Sequence, residues 1–389
     1  MSLDDLKLRV LGIARHDSRL ALFGANTHQW RVELPAAGQI EALEAQIDAP
    51  LPALWRRWVG ELMGTRVGPF YGLAGIPDGE QAEALARPFV PGATSGESPV
   101  IDGVIPLSDH GCGYSDMLVA NGPHAGEVWV DWRANGDPPA AWYPSLEAWL
   151  QAWLRRAEAD WALEYLLTGL PEDTDPAFLV RVAAALEWAA EASDDPMLRA
   201  YPIPLDKVHQ ARARLHIEDG DLDAAAEAFD AAARCSKEAD AIAAVGRCAV
   251  AEARGDHTAH LAAAEEGLTS PNLWWIHRKE LLSQKVAALE GLARWRDALA
   301  ARVQGCEHDP RDVHAWLTVA WAQVQMGDFA DAAAWLRRLA EDDPELDQAA
   351  PLKDRMAEVS GGLLRSLDPE DATQLRAAID DAYTEEPPA

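Results

Sequence analysis

The sequence predicts an α+β N-terminal domain, an antiparallel-rich sheet backed by helices, followed by an all-α tetratricopeptide-like helical solenoid. Three observations predict it. In the first part of the chain, apolar residues recur first at steps of three and four, then by alternation, then at steps of three and four again. An acidic, proline-bounded stretch, Leu170-Pro171-Glu172-Asp173-Thr174-Asp175-Pro176, interrupts the pattern. Beyond it the sequence is wholly helical in period and rich in alanine. A chain of 389 residues exceeds one ordinary core and suggests two domains. The boundaries read as 1–166 for the α+β domain, 167–175 for a linker, 176–383 for the helical repeats and 384–389 for a disordered tail.

The elements of the first domain follow in order. Ile40, Leu43 and Ile47 share one helical face. Leu51-Pro52 opens a second helix, where proline is tolerated because the first turn needs no donor. Leu51, Leu54, Trp55, Trp58, Val59 and Leu62 form its apolar stripe, and Gly64 ends it. Residues 64–73, Gly-Thr-Arg-Val-Gly-Pro-Phe-Tyr-Gly-Leu, then make a tight helix-to-strand corner. A short buried strand is expected over Phe70–Ile76. A short helix near Glu80–Ala86 is expected inside the loop excursion 77–103. Strand runs follow at Val104–Leu107, Cys112–Val119 and Glu127–Trp132, with a tight turn at Ser108-Asp109-His110-Gly111. The last run alternates polar and apolar residues, which predicts a half-solvated strand. Asn135–Pro139 closes the sheet. Ser145 then caps a helix whose apolar face is Leu146, Trp149, Leu150, Trp153, Leu154 and Trp161.

This ordered set resembles the SUKH superfamily, the Smi/Knr-type proteins, over about residues 20–160. The residues that carry the resemblance are Glu44, Leu51-Pro52, Trp55, Trp58, the Gly64–Leu73 corner and Ile105-Pro106-Leu107. His110-Gly111-Cys112-Gly113, Gly126-Glu127-Val128-Trp129 and the closing Trp-Leu helix complete them. The resemblance implies an α+β sheet backed by helices and, for bacterial members, an immunity protein that binds and blocks a cognate polymorphic toxin. Some relatives are regulatory interaction domains. The family has no common catalytic residues, so none is carried over. The long C-terminal extension departs from a minimal member.

In the second domain, Gly220-Asp221-Leu222, Gly255-Asp256-His257 and Gly327-Asp328-Phe329 recur between helical runs, as turns joining antiparallel helices do. The clearest unit starts near Val313, with Trp316, Ala320, Gly327, Phe329, Ala332 and Pro344 in the places of a 34-residue tetratricopeptide repeat. A unit from about Asp206 matches at Ala213, Gly220, Leu222, Ala225 and Phe229. A unit ending at Pro310 carries Ala293 where glycine is expected, and the unit around Gly255 carries His260 where a small residue is expected. Ala177–Ala192 and the segments after Pro351 read as capping helices.

Charge and chemistry narrow the function. The net charge of -30 comes from 34 basic and 64 acidic residues; it repels nucleic acid and anionic membrane and favours a basic partner, such as a basic toxin domain. The same charge also serves solubility. Cys112, Cys235, Cys248 and Cys306 lack disulfide or metal spacing, which points to a reduced, cytoplasmic protein. No signal peptide, membrane span, cofactor or metal is expected, and the chain is not expected to be an enzyme. Cys112 with His110 as a nucleophile pair, in a hydrolase, is a third alternative. The candidate partner-binding residues are Asp109, His110, Tyr114, Asp131 and Trp132, near the loops of the sheet, and Trp275 in the repeats. The adjacent Trp274 and Trp275 cannot both face one core. The alternative function is a regulatory scaffold or adaptor whose repeats bind a cellular protein or peptide.

Overall fold

Leu3, Leu6, Val10 and Ile13 fall at helical spacing and are buried along α1 (Leu3–His16), with Asp4 and Asp5 in its first turn and Arg15 and His16 in its last. The computed structural model describes residues 3–92, 100–171, 173–192, 194–271, 273–309, 312–342 and 352–384. Pro310, Pro344, Pro351 and the expected tail from 385 onward lie outside them. Next come α2 (Ala25–His28), β1 (Val32–Glu33) and α3 (Gln39–Ile47). Pro52 precedes α4 (Ala53–Arg57), which runs into a π turn over Trp58–Leu62. Trp55, Trp58, Val59 and Leu62 are buried as the stripe required. Gly64 follows in the left-handed region at φ 69°, and β2 (Thr65–Arg66) pairs antiparallel with β1.

The strand expected over Phe70–Ile76 does not form as a regular element. Phe70 and Gly72 take φ 55° and 103°, and only Leu73 bridges, to Arg66 and to Ser108. A Cβ on Gly72 would lie 1.8 Å from the Arg66 carbonyl oxygen, so the chain doubles back too tightly for extended backbone. After the corner, α5 (Gly79–Leu85) occupies the place of the expected short helix.

The sheet is an antiparallel meander in the order β3 (Val104–Gly111), β4 (Tyr114–Val119), β5 (Val128–Asp131) and β6 (Ala140–Tyr143). Three sequence expectations change here. The hairpin turn is Gly111-Cys112-Gly113, at φ 86°, 54° and 82°, so Ser108, Asp109 and His110 are strand residues. β5 is buried on both faces: Val128 and Val130 join the main core, while Trp129 packs with Phe89, Ile101 and Met117. The excursion therefore supplies a cover for the second face. A fourth strand, β6, follows the loop expected to close the sheet.

The hydroxyl of Ser145 accepts the Ala148 N–H at 3.2 Å and starts α6 (Leu146–Tyr165). Its buried face carries Trp149, Leu150, Trp153, Leu154, Trp161 and Tyr165. α7 (Pro176–Glu191) and α8 (Pro196–Ala200) follow. Phe178 of α7 packs edge-on to Trp161 with ring centroids 4.8 Å apart, and Val182, Ala185 and Leu186 join the same core. The compact first unit thus runs to Leu215, and α7 belongs to it instead of capping the repeats. Glu158, 1 % exposed, sits between α1 and α7 and receives Arg9 through bonds of 3.1 and 2.6 Å, with Arg181 at 3.5 Å.

The division between units falls within α9 (Leu205–Glu218). The second unit is all-α: α10 (Leu222–Cys235), α11 (Ala239–Ala253), α12 (His257–Leu268), α13 (Trp275–Gly291), α14 (Trp295–His308), α15 (Val313–Gln325), α16 (Phe329–Asp342), α17 (Leu352–Ser366) and α18 (Pro369–Thr384). From α10 to α16 each helix packs on the next, and α17 and α18 both pack on α16. The recurring turns share one geometry, with Gly220, Gly255 and Gly327 at φ 76°, 68° and 80°. Asp221 and Asp256 then cap the following helices through the N–H groups of Ala224 and Ala259. Ala293 takes the glycine place in the same left-handed region, at φ 55°. His260 is buried in the small-residue position and bonded to Gln284 at 2.7 Å, which gives one ring nitrogen a partner there.

Candidate functional site

The β3–β4 hairpin is irregular where the sequence looked most suggestive. Asp109 pairs with Ser115 and Gly111 with Tyr114, so His110 is an extra residue without a cross-strand partner. A bulge of this kind re-aims a side chain, and His110 turns inward. Its Nδ1 lies 2.7 Å from the Tyr201 hydroxyl, and its Nε2 lies 2.9 Å from Asp116 Oδ2. The second contact is an electrostatic one without good hydrogen-bond alignment. Phe70 covers the imidazole face at 3.8 Å between centroids. Asp116 is fully buried; burial pushes its carboxyl pKa up, against the pull of His110. The Ser108 hydroxyl and the Trp149 indole N–H donate to the same carboxylate oxygen at 2.6 and 3.1 Å.

The predicted contact residues divide. Asp109 is exposed but braces the turn by accepting the Gly111 N–H at 2.7 Å. Tyr114 donates to Asn135 and packs on Trp132 at 5.2 Å. These three stand together at the hairpin end. Asp131 is buried and held by Arg133 at 2.9 and 2.8 Å, so it presents no free charge. His110 is occupied internally, and Cys112 is exposed on the turn. Both Trp274 and Trp275 are exposed, at 63 % and 59 %, because they sit at the entry to α13, before the helix turns a face inward.

Sequence reasoning missed Phe23 and Tyr71. They are exposed by 59 % and 44 %, with ring centroids 5.2 Å apart. The Gly64–Leu73 corner holds them: a Cβ on Gly24 would lie 1.6 Å from the Phe70 carbonyl oxygen, so the two loops meet backbone to backbone. A Cβ on Gly111 would lie 3.1 Å from the Tyr71 ring, which brings this aromatic pair against the hairpin turn.

Beside the pair opens a cavity of about 310 Å³, walled by Leu22, Phe23, Trp30, Phe70 and Trp153. His28, His110, Arg156, Asp160 and Tyr201 supply its polar groups. Trp30 is anchored by its indole N–H on Asp17 at 3.0 Å. His28 Nδ1 accepts the Trp30 N–H at 3.1 Å, and burial pushes its pKa down to about 4, so the ring is neutral near pH 7. Asp195 accepts the Tyr143 hydroxyl at 2.7 Å and caps α8, fixing the helix that Tyr201 directly follows. Burial pushes the Tyr201 phenol up to about 12, so it stays protonated beside His110 and is not an ionised nucleophile at neutral pH. Ser108 bonds Asp116 and not His110, so Ser108, His110 and Asp116 do not form a nucleophile–base pair.

No protein-family model and no curated protein matches the chain.

The second unit has its own concavity, a groove of about 750 Å³ lined by Trp295, Trp321, Arg296, Arg302 and Gln325. Trp295 and Trp321 are exposed by 55 % and 42 %. Among the described residues no cluster of three His, Cys, Asp or Glu could hold a metal ion, and no helix is long and apolar enough to cross a membrane.

Proposed function

We propose that this is a non-catalytic protein-binding protein of the immunity type, which binds and neutralises a cognate bacterial polymorphic toxin in the cytoplasm. The observation that carries the reading is the aromatic row beside the hairpin end: Phe23 and Tyr71 exposed, with Tyr114 and Trp132 across the Gly111-Cys112-Gly113 turn. Exposed aromatic groups braced by a rigid sheet are what a protein interface uses as anchors. The net charge of -30 would steer a basic partner toward it. The SUKH-like order of motifs over residues 20–160 agrees with this use, and exposed free Cys112 and Cys235 suit a reducing compartment. Co-expression with a panel of basic polymorphic-toxin domains tests it. Growth rescue and co-purification are expected, and both should be lost in a Phe23→Ser/Tyr71→Ser variant. Absence of binding and of rescue with the unaltered chain would overturn the reading.

A regulatory scaffold is the second reading, favoured by the groove around Trp295 and Trp321 in the second unit. It predicts the reverse dependence: Trp295→Ser/Trp321→Ser abolishes capture of a cellular partner, and Phe23→Ser/Tyr71→Ser does not.

A further inference from the structure

We propose that the cavity between Trp30, Phe70 and Trp153 binds a small, neutral, planar ligand that carries a hydrogen-bond donor and acceptor on one edge, of the carboxamide or lactam class. This goes beyond the protein-binding reading and does not depend on it. The volume of about 310 Å³ suits a ring-sized molecule, and the exposed Phe23 on its wall brings the cavity to the surface. Aromatic walls favour a flat, apolar body.

The polar edge comes from one turn of α6. Arg156 donates through Nε to Asp160 Oδ2 at 2.7 Å and through Nη1 to the Tyr201 carbonyl. Among the described residues this leaves Arg156 Nη2 as an unused donor and Asp160 Oδ1 as an unused acceptor, on two residues one helical turn apart that both line the cavity. The carboxylate is densely surrounded and its pKa is pushed up by burial, yet 28 % of the side chain remains reachable. Those two facts agree if the reachable part faces the cavity. A primary amide complements this pair: its carbonyl accepts from Arg156 and its N–H donates to Asp160. A cationic ligand would meet Arg156, and an anionic one would meet Asp160, each at the cost of displacing the existing ion pair. With Nδ1 of His28 engaged by Trp30, the neutral ring carries its proton on Nε2 and adds one more donor at the wall.

The test uses the full chain and benzamide as the probe, followed by ligand-observed saturation-transfer NMR and calorimetric titration. Benzamidinium, benzoate and ethylbenzene serve as cationic, anionic and apolar controls of similar shape. Millimolar or tighter binding of benzamide is expected, with all three controls at least roughly tenfold weaker. Asp160→Asn, which keeps the side-chain shape, should weaken benzamide by roughly tenfold in a variant that still unfolds cooperatively. No saturation transfer to benzamide overturns the proposal. So does any control that binds as tightly, or an Asp160→Asn protein that folds and binds unchanged. If that variant does not fold, the ranking of the four probes on the unaltered chain decides alone.

Discussion

The two units solve the problem of a buried core in different ways. The α+β unit buries His16, Asp17, His28, Ser108, His110, Asp116, Asp131 and Glu158, and most of these meet a named partner. Among the described residues of the helical unit the buried polar groups are His260, Gln323 and Ser360. That unit is instead lined by small residues: Ala225, Ala232, Ala244, Ala264, Ala288, Ala298, Ala320 and Ala332 are buried where helices approach. The first unit specifies its geometry by polar contacts that tolerate few alternatives. The second specifies it by close approach and by repeated turn chemistry. A cavity with directed hydrogen-bond groups belongs to the first style of construction, and an open groove belongs to the second.

The comparison can be broken most severely at Glu158. Glu158→Ala leaves Arg9 without its buried carboxylate, and about 3–5 kcal/mol of stability should be lost from the first unit. Hydrogen exchange read by mass spectrometry should show faster exchange in α1, α6 and α7, with the peptides of α11–α16 unchanged.

An acid titration gives the next largest effect. The folded-state pKa of His28 lies at about 4, below its ordinary 6.5, so the unfolded chain binds the extra proton first. Its contribution is complete above pH 6.5 and is lost as pH falls toward 4. His16, lowered by burial and by Arg15, acts with the same sign. After allowance for partial solvent access, about 2 kcal/mol is expected from His28. Urea unfolding between those pH values should show it, and His28→Gln should flatten the slope.

The smallest effect sharpens the other side. Ala293→Gly relieves a left-handed alanine in the turn between α13 and α14 and should stabilise the helical unit by about 1 kcal/mol. The same change at Gly255 in reverse, Gly255→Ala, should destabilise by a similar amount, since the two turns share one backbone geometry. Thermal unfolding of both variants checks the pair.

These contrasts also explain what could be read before any coordinates. Periodicity exposed α3, α4 and α6 and the repeat helices, because each buries one continuous face. The Gly-Asp turns were legible because the backbone conformation and the cap each demand a residue type, and Ala293 was visible as the exception. The spacing of Leu3, Leu6, Val10 and Ile13 in α1 carries the same signal. The alternation in Glu127–Trp132 misled, since the cover over Trp129 comes from Phe89 and Ile101, far away in sequence. The cavity was not legible at all. Its lining spans Leu22 to Tyr201, and the inward turn of His110 comes from a bulge that no residue spacing announces. Likewise the Gly64–Leu73 corner reads in sequence as a tight helix-to-strand turn, and Gly68, Pro69 and Phe70 of it line that cavity.

The most direct test of the central claim is a hydrogen-exchange footprint of the full chain with and without a basic toxin domain that it rescues in co-expression. The account predicts protection in the peptides that contain Phe23, Tyr71 and the 109–114 turn, together with loss of the complex in Phe23→Ser/Tyr71→Ser. Protection confined to the peptides around Trp295 and Trp321, with the double variant still binding, would contradict it.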